Sequence, residues 1–330
     1  HHGFFDGVER EFRGFARVEQ YDTAQFDART DMDPANLDDQ SSVPEVMTKT
    51  WFHTGALVDA RHVSDLLAGE YYREPGLDEG GAQDMLLPDS QLPGELSPEE
   101  LREAMRALKG SILRQEVYAL DTEPSGEPKE ASSHPYSDVE RCYQVRRVQR
   151  RGGNQHAVFE TYSDQVLTHH YERDPRDPRV QHAVTIEVDD FGNVLKEAAI
   201  AYGRRTDRVD ALIQSDREAQ TRDLITYSEH TMTTGCTDSA QWPDDHRGPT
   251  RCVSRTYELT GFRPGAGRAR FATTDFVDEL GGQLAAVEVE EIGHAAEPEI
   301  QHPQRRLMTQ TRVLFRSDDL ATALPLRSMQ

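Results

Sequence analysis

The chain has 330 residues, enough for one large or two ordinary domains with a real core. Its 59 acidic and 37 basic residues give a formal charge of −22, which argues against nucleic-acid backbones and anionic membrane surfaces as partners, since both need a positive field. No run approaches the roughly 20 apolar residues of a membrane span, and no signal-peptide pattern opens the chain.

In chain order, residues 1–20 (HHGFFDGVEREFRGFARVEQ) mix Phe with Arg and Glu, and glycines at 3, 7 and 14 suit bent or bulged strands. Thr23–Pro44 is acidic and reads as a loop or insertion. Val46–His53 reads as a short strand carrying Trp51 and Phe52, and Leu57–Leu67 as weakly helical. Glu74–Pro93, with its prolines and carboxylates, predicts a long exposed loop.

The clearest helix spans 97–109. Ser97-Pro98-Glu99-Glu100 forms a capping box with Pro at the first helical position, Leu101, Met105 and Leu108 line one face, and Gly110 ends it. Ile112–Leu120 switches to strand, and Thr122–Pro135 is a Pro-, Ser- and Gly-rich loop. Extended runs follow at Tyr136–Gln149, Ala157–Glu172, Val180–Asp189, Val194–Arg204, Arg222–Thr233 and Arg251–Thr260. Thr206–Gln220 reads as a polar helix or a loop, Thr274–Leu280 as a helical turn or two, and Gln283–Ile292 and Leu307–Phe315 as further strands. Charge on the polar face of these strands predicts a large sheet with one side in solvent.

The hairpin signal is strongest at 180–202. Val180, His182, Val184, Ile186 and Val188 fall on every second residue, and Asp189-Asp190-Phe191-Gly192-Asn193 supplies a turn whose Gly and Asn accept positive φ. Pro175 and Pro178 precede the first strand, where a missing N–H costs least. The fold class is therefore mainly β, a large antiparallel sheet with a few short helices.

Several stretches resemble a known family. The motif of His1-His2-Gly3, Phe5-Asp6-Gly7, Glu9-Arg10-Glu11 and Phe12-Arg13-Gly14-Phe15 is similar to a segment of the TcB subunits of bacterial Tc (toxin complex) insecticidal toxins, the TcdB/TcaC and SpvB-related group. Further matches keep the same order: Lys49–Gly55, Glu70–Tyr72, Leu108–Tyr118, His170–Arg173, Asp177–Val180, Asp190–Val194, Ala201–Arg205, Tyr257–Gly261, Asp318–Leu320 and Leu324–Leu326. His1 and His2 then belong to the motif, which makes the chain an expected piece of a longer one.

The resemblance implies a section of a hollow, curved β-shell built with a TcC chain carrying RHS repeats, enclosing a cytotoxic effector. Residues 1–110 would be the C-terminal part of the middle region and residues 111–330 the shell section. Partners by resemblance are the rest of the TcB chain, the TcC-like RHS chain, the effector and, indirectly, the TcA pore. The localisation implied is that of a secreted virulence factor. The propeller, RHS repeats, autoproteolytic site and effector of the family have no counterpart in these motifs, so the expected role is structural, with no catalytic residue and no cofactor.

The residues themselves support little chemistry. His169-His170 with Glu172 and Asp174 suggest metal ligands, but neighbours on a strand point to opposite faces. Glu288-Val289-Glu290 has the Glu-x-Glu spacing of ADP-ribosyltransferases, yet no upstream Arg or Ser-Thr-Ser strand accompanies it. Asp189-Asp190 with Asp177 suggest Ca²⁺, and a turn needing Asx bonds explains them more simply. Cys142, Cys236 and Cys252 lack metal spacing, and Cys142 and Cys252 fall in strand-like runs as buried thiols. The expected metal count is zero. Against the shell role stand two alternatives, a carbohydrate- or protein-binding β module and an acidic β-rich hydrolase or ADP-ribosyltransferase.

Overall fold

The computed structural model describes the chain except residues 23–44, 59–60, 63–65, 123–124, 126, 206–211, 235–247, 278–288, 300–301, 318 and 329–330. The predictions for Thr23–Pro44, for Cys236 and for most of Gln283–Ile292 lie outside the described residues, as does Glu288 of the Glu-x-Glu pair.

The chain is mainly β, as its alternating runs predict. In chain order the strands are β1 (Gly3–Asp6), β2 (Glu11–Phe15), β3 (Arg17–Asp22), β4 (Val46–Phe52), β5 (Leu57–Val58), β6 (Arg61–His62), β7 (Ile112–Ala119), β8 (Ser137–Gln149), β9 (Val158–His170), β10 (Arg179–Val188), β11 (Val194–Ala201), β12 (Leu224–Met232), β13 (Arg251–Thr260), β14 (Glu290–Ile292) and β15 (Gln304–Arg312). They fall into two compact units. The first is His1–Val180 with Arg204–Ile213, and the second is Gln181–Gly203 with Gln214–Gln330.

In the first unit the main strand order is β9-β8-β7-β4-β3, antiparallel throughout, with β1-β2 and β5-β6 as separate two-stranded ribbons. The Pro98–Ala107 helix packs on β8 and β9 through Ala104, Met105 and Leu108, which meet Val145. Ser97 and Glu100 make the capping box read from the sequence, each side chain accepting the other residue's N–H at 3.2 Å. A second cluster gathers Trp51, Ala16, Ala56, Leu67, Tyr71 and Leu113.

In the second unit the order is β14-β15-β13-β12-β11-β10. All pairs are antiparallel except β14-β15, which is parallel, so the sheet is mixed. Its core takes alternate residues from four strands, among them Val184, Ile200, Tyr227 and Tyr257, closed over by Phe271 and Phe276. Those two rings stack with centroids 5.4 Å apart.

Three expectations are corrected. Leu57–Leu67 begins as the β5-β6 ribbon and not as a helix. Glu74–Pro93 is no exposed loop: it holds a short helix, Glu79–Asp84, and buries Glu74, Ala82 and Ser90. The charged face of β7 and β8 does not lie in solvent; Arg114, Glu116, Asp138 and Glu140 are all buried, while Val117 and Val139 on the alternate positions are only partly so.

Candidate functional site

The hairpin β1-β2 buries Asp6 and Arg13, while Glu9, Arg10 and Glu11 stay exposed. Asp6 accepts the N–H groups of Val8 at 2.9 Å and Glu9 at 3.1 Å, and it pairs with Arg13, whose guanidinium also donates to the Gly55 carbonyl at 2.7 Å. The Glu9 amide does most to hold the Asp6 carboxyl below its ordinary range, against the cost of burial. Positive φ at Gly14 (100°) and a register shift between Gly3 and Phe5 bend the ribbon, so that Phe12 and Phe15 lie on one side with ring centroids 5.3 Å apart. Lys109 reaches Glu11 at 2.6 Å.

At the β10-β11 turn, the Asp189 carboxylate accepts the N–H groups of Phe191 and Asn193, each at 2.9 Å. Gly192 takes φ of 82°, which an L side chain resists, and the Asp189 N–H bonds the Asn193 carbonyl at 3.0 Å.

The residues considered as ligands are scattered. His169 faces Asp138, Glu172 pairs with Arg179 at 2.7 Å, and Asp174 pairs with Arg176 at 2.6 Å. Asp177 binds Arg204 Nε at 2.8 Å and the Arg205 N–H at 3.0 Å. Glu290 accepts the Gln304 amide at 2.8 Å.

The most developed polar centre surrounds Arg114, which is 3% exposed. Its Nε donates to Glu116 at 2.8 Å, Nη1 to Glu140 at 2.8 Å and Nη2 to Asp138 at 2.5 Å. Burial opposes its charge, but Asp138, Glu140 and Glu116 outweigh it and raise the guanidinium well above its ordinary value. Arginine suits this place because its flat fork offers donors in three directions. The carboxylates use their remaining oxygens as well. Glu116 accepts the Tyr72 N–H at 2.7 Å and the Tyr118 hydroxyl at 2.7 Å, and Glu140 accepts the Leu87 N–H at 2.8 Å. Asp138 meets His169 Nδ1 at 2.8 Å. Desolvation raises the Asp138 carboxyl, but Arg114 and then His169 prevail and hold it below 3.8. The centre thus ties β7, β8 and β9 to the 71–87 segment. The Tyr71 ring lies under the guanidinium at 5.1 Å, and His169 stacks on Tyr171 at 5.6 Å.

Sequence reading did not single out Arg114. The available signal was a set of opposite charges at alternate positions of two successive strands, which is also the pattern of a solvent face.

One further row has the composition of a hydrolytic triad. On β13, β12 and β11, Ser254 Oγ stands 3.1 Å from His230 Nδ1, and His230 Nε2 stands 3.4 Å from Glu197. β13 is paired on both sides, by β12 and β15, so its backbone donors are taken by the ladder and supply no oxyanion hole. The row is ordinary cross-strand pairing.

Comparisons with known proteins fit this geometry. Residues 103–243 match the family described as the insecticide toxin TcdB middle/C-terminal region. No curated protein matches the chain. Among solved structures, a TcdB2-TccC3-TEV crystal structure is similar over 99% of the chain at 24% identity and TM-score 0.69, using 14% of that chain. A Photorhabdus luminescens Tc holotoxin pore with mutated TccC3 is similar over 98% of the chain at 25% identity and TM-score 0.63, again using 14% of that chain. A TcdB2-TccC3 crystal structure matches over 78% at 25% identity and TM-score 0.60, using 12% of its chain. The chain therefore spans about one-seventh of the length of the solved chains it matches. The chain is thus similar in fold to part of the TcB-type components of Tc toxin complexes. Within that likeness, residues 103–243 are the part that also matches the TcdB middle/C-terminal region.

Proposed function

We propose that this chain is a section of the wall of a hollow β-shell, and that it works by enclosing an effector and not by reacting. The observation that carries this reading is the likeness over 98–99% of the chain to TcB-type structures solved in complex with TccC3. Its chemistry agrees: the buried carboxylates described above are spent on arginines and backbone N–H groups that hold strands and loops together.

In this reading residues 1–110 close the middle region and residues 111–330 form shell wall. The Asp189–Asn193 turn and the His1–Phe15 motif are structural. Each strand satisfies the backbone groups of its neighbour, so a wall grows by adding strands and needs no cofactor. The natural partners are further TcB-type chain, a TcC-like RHS chain and the enclosed effector, with the TcA pore engaged indirectly and the complex acting as a secreted toxin.

The test is alanine substitution at Glu172, Asp177 and Glu290 within the full TcB-type chain. Complexes that assemble, load effector and dock on their pore should keep their toxicity. An assembled, loaded and docked complex that loses toxicity through one such change would reveal an active site and overturn the structural role.

A further inference from the structure

At the Arg114 centre each buried carboxylate has a guanidinium donor. Asp164 on β9 is treated differently. The β8-β9 register matches Cys142 with Gln165 and Tyr143 with Ser163, so Asp164 is an extra residue, a bulge. The bulge breaks the alternation of the strand and buries two residues in succession, Asp164 at 6% and Gln165 at 5% exposure. Asp164 Oδ2 faces Cys142 Sγ at 3.8 Å and Gln165 Nε2 at 3.4 Å. Among the described residues it forms no ion pair. Burial pushes its carboxyl up, against the smaller opposing pull of the Gln165 and Cys142 hydrogen bonds, and burial raises the Cys142 thiol as well.

The ionisable groups around this pair within its unit are few. On β8, Glu140 acts on the thiol through its charge, and the thiol in turn acts on the neighbouring Tyr143, which burial raises first. On β9, Tyr162 lies two residues away and is raised by burial and then by the charge of Asp164. Arg146 and Glu160 bond one another at 2.5 Å. Asp89 and Arg141 line, with Cys142, a cavity beneath the 86–90 segment.

We propose that Asp164 is an acid-dependent latch on the β8-β9 pair: the uncharged carboxyl group closes the bulge against Cys142, and its ionisation loosens the two strands. The sign follows from linkage. A carboxyl that holds its proton more tightly when folded contributes most below its ordinary value of 3.8, and that contribution is lost as pH rises through the raised folded value. Asp138 on β8 works in the opposite sense, so the β8-β9 pair carries one group that favours acid and one that resists it. The latch is independent of the wall role and holds whether or not the chain encloses an effector.

Amide hydrogen exchange on the chain and on Asp164→Asn, from about pH 4 to about pH 8, is the test, with rates corrected for intrinsic exchange. Infrared difference spectra of the same samples follow the protonated-carboxyl band. Protection of β8 and β9 in the parent should fall as pH rises, in step with loss of that band. The asparagine variant should lack the band and keep a flat protection profile. The same pH dependence in both proteins would overturn the latch. Should the variant fold poorly, the parent decides: a band that vanishes without loss of β8-β9 protection, or no band at the acid end, overturns it equally.

Discussion

Arg114 on β7 donates to Asp138 on β8 at 2.5 Å, and the other oxygen of that carboxylate meets His169 on β9 at 2.8 Å. One guanidinium and one carboxylate thus link three strands through side chains as well as through the ladder. Arg114→Met should cost about 3–5 kcal/mol, because it strands three buried carboxylates. Arg114→Lys should fare little better, since an ammonium cannot reach three carboxylates in the planes a guanidinium serves. Neutralising the centre together, with Glu116→Gln, Asp138→Asn and Glu140→Gln added to Arg114→Met, should recover much of the loss. Denaturant melts of the three proteins check this.

Acid should weaken the first unit through the same centre. Asp138 binds its proton less readily when folded, so its contribution is present above 3.8 and is lost as pH falls below that value. Asp138→Asn should flatten this acid limb of the stability profile while lowering stability at neutral pH. Urea midpoints of parent and variant measured across the acid range decide it; an unchanged acid limb would show that other carboxylates govern acid unfolding.

Gly192→Val should destabilise by about 1–2 kcal/mol, because a β-branched residue resists the left-handed region that Gly192 occupies at φ of 82°. Asp189→Ala should add a separate loss, since it removes the acceptor for two backbone N–H groups in the same turn. Thermal melts of both variants test the turn, and a Gly192→Val protein melting with its parent would contradict it.

Much of this fold was legible in the sequence, for physical reasons that name particular residues. Period-two runs marked β7 to β13 because apolar residues such as Val184 and Ile200 must face a core. Ser97 and Glu100 marked the helix start because their side chains satisfy orphan N–H groups. The Arg114 centre was illegible because a charged residue at every second position describes a wet face and a buried ionic one equally well. Glu74–Pro93 misled for a related reason. Its prolines and carboxylates suit a loop, but the Leu87 N–H bonds Glu140, 53 residues distant, and the Tyr72 N–H on Glu116 anchors the chain just before it. Asp164 was hidden by the bulge, which shifts its face without any change in the run of residue types.

The wall role is tested most directly by electron cryo-microscopy of the full TcB-type chain bearing this sequence, assembled with a TcC-like partner and its effector. Residues 111–330 should trace as strands of a closed wall with density for the effector on one side. Residues 111–330 lying outside such a wall, or forming a closed pocket around a small ligand, would contradict it.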